Sequence, residues 1–122
     1  MTNRDTIIYV VDDDEAVRRA LGRLLRASGF VVETYASALA FLGDAPVLHS
    51  ACLLLDMRMP GMSGLELLEH MADSGMDVPT ILITAHAEEL DWEGYRPPVF
   101  ACLQKPVRER RLLDLIEEGL SQ

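Results

Sequence analysis

The sequence contains few of the features that mark secreted or membrane proteins. It has two cysteines, Cys52 and Cys102, and each lies inside an apolar run, so we expect buried thiols and no disulfide. No apolar run approaches the length of a membrane span, and the first residues, MTNRDT, lack the apolar stretch of a signal peptide. We therefore expect a cytoplasmic protein that does not bind membranes.

Positive charge is also scarce, with 11 Lys and Arg residues against 20 Asp and Glu residues and a net charge of −9. Nonspecific binding to nucleic acid needs basic residues that neutralise phosphates, so we expect no direct nucleic-acid binding. No glycine-rich turn follows the first strand-like segment, which argues against a dinucleotide-binding domain. The 122 residues and 49% hydrophobic content are typical of one globular domain, which we expect over residues 1–122.

Short apolar runs alternate along the chain with segments of helical periodicity. Strands are predicted over 6–11, 30–36, 51–55, 80–84 and 99–104. Helices are predicted from Asp14 to Gly29, over 38–44, from about Leu65 to Gly75, and around the apolar stripe of Leu112, Leu113, Ile116 and Leu120. Several strands are apolar on both faces, which predicts a parallel sheet covered by helices, an open and doubly wound α/β domain.

The alternation breaks between the fourth and fifth predicted strands, in the segment 85–98. A helix is expected there, but Gly94, Pro97 and Pro98 limit it to about two turns. We therefore expect a short or irregular fourth helix.

Polar side chains stand where the predicted strands end. Asp12 and Asp13 follow the first strand, Asp56 follows the third, Thr84 ends the fourth, and Lys105 follows the fifth. Because the carboxyl ends of parallel strands meet at one edge, we expect these residues to form one site. Neighbouring carboxylates repel each other by roughly 3–4 kcal/mol at an effective dielectric near 20, and one ammonium does not offset three of them. A divalent cation with oxygen ligands, Mg²⁺ in particular, suits such a site.

Four segments in order carry a resemblance to a known family: VVDDDEAVRRAL, LLLDMRMPGMSGLELL, ILITAH and LQKPV. Over nearly the whole chain they resemble the receiver domain of two-component response regulators, and RMPGMSGLEL and TAH are similar to receivers of nitrogen-fixation and nitrate-type regulators. The resemblance implies a flavodoxin-like sheet of five parallel strands in the order 2-1-3-4-5. It also implies a signalling module that is not a turnover enzyme, with a sensor histidine kinase and an output domain or downstream protein as partners.

The resemblance assigns the metal and phosphorylation roles. It implies that Asp56 accepts a phosphoryl group from a phosphohistidine of the kinase. It further implies that Asp13, Asp56 and the backbone carbonyl of Arg58 bind Mg²⁺ directly, while Asp12 holds a metal-bound water. Lys105 would then pair with the phosphoryl oxygens.

The resemblance also assigns the residues that respond to phosphorylation. Thr84 would hydrogen-bond a phosphoryl oxygen, and Arg58 and His86 would tune hydrolysis of the acyl phosphate. Receivers usually carry Tyr or Phe three residues before the lysine, where this chain has Cys102. By strand alternation we expect Phe100 on the same face as Cys102, as an imperfect substitute in the readout.

Two other classes of function stay open at this point. A receiver-like interaction domain that signals without phosphorylation is favoured by Cys102 and by the disrupted fourth helix. A Mg²⁺-dependent phosphatase of the haloacid dehalogenase type also uses an Asp at a strand end, but it expects a second Asp where this chain has Arg58. The residues leave open whether the chain forms a homodimer, and whether it stands alone or works with a DNA-binding output domain.

Overall fold

A computed structural model describes residues 6–44, 46, 50–89 and 99–120. Within these residues the strands are β1 (Ile7–Val11), β2 (Val31–Tyr35), β3 (Ala51–Asp56), β4 (Thr80–Thr84) and β5 (Val99–Gln104). The helices are α1 (Glu15–Ala27), α2 (Ala38–Gly43), α3 (Gly64–Asp73) and α4 (Glu109–Leu120). All strand pairs are parallel and the order is β2-β1-β3-β4-β5. The predicted doubly wound sheet and its strand order are confirmed.

The first three helices begin at side chains that cap their free N–H groups. Asp14 accepts hydrogen bonds from the first turn of α1, and Ser37 does the same for α2. At α3, Ser63 and Glu66 form a capping box, in which each side chain accepts from the backbone N–H of the other residue. These local contacts fix the residue at which each helix begins. They therefore also fix the length of the loops that connect the strands to these helices and carry the candidate site.

The sheet separates two apolar cores. α1 and α4 cover one face, over residues such as Leu25, Leu54 and Ile116, and α2 and α3 cover the other, over Phe41 and Leu67. β3 lies at the centre of the sheet and is buried in every residue, which explains its uninterrupted apolar sequence. None of the described helices combines the length and the apolar character needed to cross a membrane.

The short or irregular helix that the sequence predicts between the fourth and fifth strands, which is distinct from α4, falls in the segment between β4 and β5. In the described part of this segment, residues 85–89, the structure has a short 3-10 helix at Ala87–Glu89. The remainder of the prediction, with Gly94, Pro97 and Pro98, falls on residues 90–98, which lie outside the described residues.

β5 pairs irregularly with β4. Thr80 is in register with Val99, but Ile81 is in register with Ala101, so Phe100 is the extra residue of a β-bulge. Phe100 therefore packs against the core under α1 and α4, whereas Cys102 packs against the core under α2 and α3. The expectation that Phe100 and Cys102 share one face is wrong, because it assumed an unbroken two-residue alternation.

Candidate functional site

Four charged residues meet at the carboxyl edge of the sheet. β1 and β3 end side by side, and Asp12, Asp13 and Asp56 each place one carboxylate oxygen within 4.8 Å of the others. Lys105, directly after β5, places its Nζ 2.9 Å from Asp12 Oδ2 and 3.5 Å from Asp56 Oδ1. The parallel topology thus brings together residues that lie up to 93 positions apart in the sequence.

Three hydrogen bonds hold Asp12 in place. Its N–H donates to the Tyr35 carbonyl at 3.1 Å, and its Oδ1 accepts from the Asp14 N–H at 2.9 Å. Its own carbonyl accepts from Arg18 Nη1 at 2.8 Å. Asp12 Oδ2 is buried and accepts no well-directed hydrogen bond from the described residues, although it forms an ion pair with Lys105. A buried carboxylate oxygen with spare acceptor capacity is suited to contact a cation or a water bound to one.

Asp56 ends β3 and is buried, with 4% of its surface exposed. Burial raises the pKa of Asp56 to about 6 and the charge of Asp12 adds to the rise, while Lys105 and the backbone N–H of Arg58 oppose it. That N–H lies 3.4 Å from Asp56 Oδ1, so the backbone after Asp56 turns beside its own carboxylate. At neutral pH the carboxylate is ionised, as a nucleophile must be.

Lys105 is fixed by the strand that precedes it. Its N–H donates to the Thr84 carbonyl at 2.8 Å, and its peptide bond to Pro106 is cis. Burial favours the neutral amine, but the close ion pair with Asp12 and the charge of Asp56 outweigh it, so the pKa of Lys105 is raised. The side chain therefore supplies a permanent positive charge.

The composition of the cluster fits Mg²⁺. Three carboxylates and one ammonium leave two negative charges in a partly buried space, which one divalent cation would neutralise. The cluster offers carboxylate oxygens, one of them the spare oxygen of Asp12, and Mg²⁺ prefers a few such ligands together with retained waters.

Thr84 lies beside this cluster at the end of β4. It is buried, and the residue before it, Ile83, is in register with Asp56. Thr84 Oγ1 accepts a hydrogen bond from the backbone N–H of His86 at 3.3 Å, which ties the strand end to the loop that follows. The side chains of His86 and Arg58 are exposed. Thr84 is thus on the buried side of the site, with these two residues toward solvent.

Gly64 makes a contact at the site that the sequence pattern did not indicate. A Cβ at this position would lie 2.6 Å from the Asp56 carbonyl oxygen and 2.8 Å from Met57 Cα. α3 therefore begins directly against the backbone that carries Asp56. In the sequence, a glycine directly after the helix-capping Ser63 indicates the start of a helix, but it does not indicate the contact with the backbone of Asp56.

The two residues predicted to transmit a signal lie apart from each other. The ring of Phe100 covers Gly119 of α4, where an added Cβ would lie 2.5 Å from Phe100 Cζ. Cys102 is half-buried on the opposite face of β5, in register with Leu82. The structure does not bring this pair together.

Comparisons with known proteins identify the family of this chain. The model of the response regulator receiver domain family matches residues 8–117. The response regulator protein TmoT of Ectopseudomonas mendocina is 39% identical over 121 residues, which are 98% of this chain and 55% of TmoT. The transcriptional regulatory protein FixJ of Rhizobium meliloti is 36% identical over 116 residues, 94% of this chain and 57% of FixJ.

The solved structure of the response regulator StyR is similar with a TM-score of 0.87 and 43% identity, over 95% of this chain and 59% of that chain. The chain spans about half the length of the curated relatives it matches, 55% of TmoT and 57% of FixJ. The family model covers most of the chain, and TmoT and FixJ match nearly all of it. This chain belongs to the response regulator receiver domains of two-component systems.

Proposed function

We propose that this chain, as a single domain over residues 1–122, accepts a phosphoryl group on Asp56 from the phosphohistidine of a sensor kinase. In its phosphorylated form it signals to an output domain or a downstream protein. The observation that carries the proposal is the buried Asp56 carboxylate, held 3.5 Å from Lys105 Nζ in a carboxylate cluster that fits Mg²⁺.

The transfer step follows from these positions. A carboxylate oxygen of Asp56 attacks the phosphorus of the donor; the new O–P bond forms, the P–N bond breaks, and the imidazole nitrogen keeps the electron pair and takes up a proton. Lys105 Nζ offsets negative charge on the transferred group. Asp13, Asp56 and the Arg58 carbonyl would hold Mg²⁺ directly, and Asp12 would hold it through a water; the bound ion would supply further charge neutralisation and orientation.

The acyl phosphate changes what Thr84 contacts. Its hydroxyl oxygen accepts from the His86 N–H, so donation of the hydroxyl proton to a phosphoryl oxygen would draw His86 toward the site. Hydrolysis ends the signal, when water attacks the phosphorus and the Asp56 carboxylate leaves. Arg58 and His86, exposed beside the site, would control access of that water. The domain is thus a switch with a limited lifetime and not a turnover enzyme.

The partners and location belong to the same proposal. Histidine kinases form their phosphohistidine from ATP, so we place the chain in the cytoplasm. FixJ is a transcriptional regulator of which this chain matches 57%, which supports a DNA-binding output module as the partner. The net charge of −9 supports the view that this domain does not itself contact DNA.

The proposal is tested by incubating the protein with acetyl phosphate and Mg²⁺ and then measuring its intact mass by mass spectrometry. We expect one added phosphoryl group on the wild type, none on Asp56→Asn, and none when EDTA is present. Asp73→Asn, which changes an exposed carboxylate at the end of α3, is the matched control and should accept the group normally. An unmodified wild type with a range of donors would contradict the proposal and favour a phosphorylation-independent interaction domain. Steady release of phosphate from simple phosphoesters would favour a phosphatase.

A further inference from the structure

Arg18 reaches back from α1 to the loop that carries the acidic residues. It is half-buried, and its Nη1 donates to the Asp12 carbonyl at 2.8 Å. The same peptide segment is tied on its other sides, since the Asp12 N–H donates to Tyr35 and Asp12 Oδ1 accepts from Asp14. A charged donor makes a stronger hydrogen bond than a neutral one, so Arg18 is a strong restraint on this loop.

We infer that Arg18 is a positioning residue for the Mg²⁺ site, an inference that rests on the proposed function. The Asp12 carbonyl belongs to the peptide unit that leads to Asp13, so fixing it fixes the direction in which Asp13 leaves β1. Lys105 offsets only one of the three negative charges, so without a metal ion Asp12, Asp13 and Asp56 repel one another. A loop free to move would then carry Asp13 away. Arg18 holds the loop against this repulsion and keeps the carboxylates together before the metal arrives.

A positioning role of Arg18 and a purely electrostatic effect of its charge predict opposite changes in Mg²⁺ affinity. A positive charge near a cation site disfavours the cation, so electrostatics alone predicts that Arg18→Ala binds Mg²⁺ more tightly. Positioning predicts the opposite. Arg19, the next residue of α1, is exposed and provides a matched control, because Arg19→Ala removes the same charge from the same helix.

Calorimetric titration of the wild type and variants with MgCl₂, at constant pH and ionic strength, measures the effect. We expect about tenfold weaker Mg²⁺ binding in Arg18→Ala, the usual result of losing a group that orients a metal ligand. Arg18→Lys keeps a charged donor and should stay within about threefold of the wild type. Arg19→Ala should bind as tightly as the wild type or slightly more tightly.

A second measurement on the metal-free protein needs no activity. The Asp14 N–H, which donates to Asp12 Oδ1, should lose protection from hydrogen exchange in Arg18→Ala and keep it in Arg19→Ala. If circular dichroism shows that Arg18→Ala does not fold, Arg18→Gln replaces it in both measurements, because glutamine is neutral and shorter than arginine. We again expect weaker Mg²⁺ binding and a loss of hydrogen-exchange protection at the Asp14 N–H.

Different results would overturn the positioning role of Arg18 and the proposed function. Mg²⁺ binding in Arg18→Ala equal to or tighter than in Arg19→Ala overturns the positioning role, and so does Arg18→Lys binding as weakly as Arg18→Ala. A wild type that binds no Mg²⁺ overturns the proposed function and this inference together.

Discussion

β3 and β5 both end at the candidate site, yet they differ in construction. β3 is buried throughout, stays in unbroken register with β1 and β4, and ends in Asp56. β5 is partly exposed, carries a bulge at Phe100 and ends directly before Lys105. The strand that holds the proposed nucleophile is fixed on both sides, whereas the strand that leads to Lys105 has a local irregularity at its far end.

The bulge leaves the chemistry of the site in place. Beyond it the β4–β5 register is regular from Ile81 and Ala101 to Thr84 and Gln104, so Lys105 arrives beside Asp56. Upstream, the bulge turns Phe100 toward Gly119 of α4. The site and the aromatic packing of β5 are therefore separable. Substitutions at the end of β3 should lower the free energy of unfolding more than matched substitutions beside β5.

The largest effect is expected at the end of β3. Gly64→Ala would place a Cβ 2.6 Å from the Asp56 carbonyl oxygen, a backbone atom that cannot move aside cheaply, so we expect a loss of about 3 kcal/mol in the free energy of unfolding. Urea denaturation measures it. Gly43→Ala is the control, since nothing lies within 4 Å of its added Cβ. It should be neutral or stabilising by up to about 1 kcal/mol, and an equal loss in both variants would contradict the account.

A smaller effect is expected from the charge of Asp56 in the metal-free protein. Its pKa rises from 3.8 to about 6 on folding, so the folded state binds this proton more tightly than the unfolded chain does. Ionisation therefore costs stability as pH rises from about 4 to about 6, and the full cost is present above that range. The shift corresponds to about 3 kcal/mol, which we discount to about 2 kcal/mol because solvent screens part of the charge.

Asp56→Asn tests this by removing the titrating group. In EDTA it should be more stable than the wild type at pH 7.5 and equal to it near pH 4, as measured by urea denaturation at each pH. Added Mg²⁺ should stabilise the wild type more than the variant. A stability difference that does not change with pH would show that burial of the Asp56 charge is not its cause.

The smallest effect is expected beside β5. Gly119→Ala would place a Cβ 2.5 Å from Phe100 Cζ, but the half-buried ring sits at a bulge and can shift. Because alanine also favours the helix, we expect a net loss of about 1 kcal/mol or less. Phe100→Leu in the Gly119→Ala background should recover part of it, which a double-mutant cycle measures. A loss as large as that of Gly64→Ala would remove the difference between the two strands.

The fold and the convergence of the site could be read from local patterns. Each apolar run stops at a polar or charged residue, and parallel strands bring their carboxyl ends to one edge. This pattern predicts that Asp12, Asp13, Asp56 and Lys105 lie together, as they do in the structure. Asp56 itself turned out to be the last residue of β3, one residue beyond the predicted end of the strand.

The bulge and the role of Arg18 could not be read in this way. VFACLQ contains no glycine or proline to mark an irregularity, and the shift arises from how β5 pairs with β4, a contact far along the chain. Arg18 and Arg19 are adjacent residues of the same type, and nothing in the sequence distinguishes their roles. Only the three-dimensional path of the loop after β1 shows that Arg18 reaches a carbonyl while Arg19 is exposed.

The most direct test of the central claim locates the phosphoryl group on the chain. The protein is incubated with acetyl phosphate and Mg²⁺, reduced with borohydride, which converts an aspartyl phosphate to homoserine, and mapped by peptide mass spectrometry. The account predicts homoserine in place of Asp56, with Asp12 and Asp13 unmodified. Homoserine at another aspartate, or none in a protein whose intact mass shows a phosphoryl group, would contradict it.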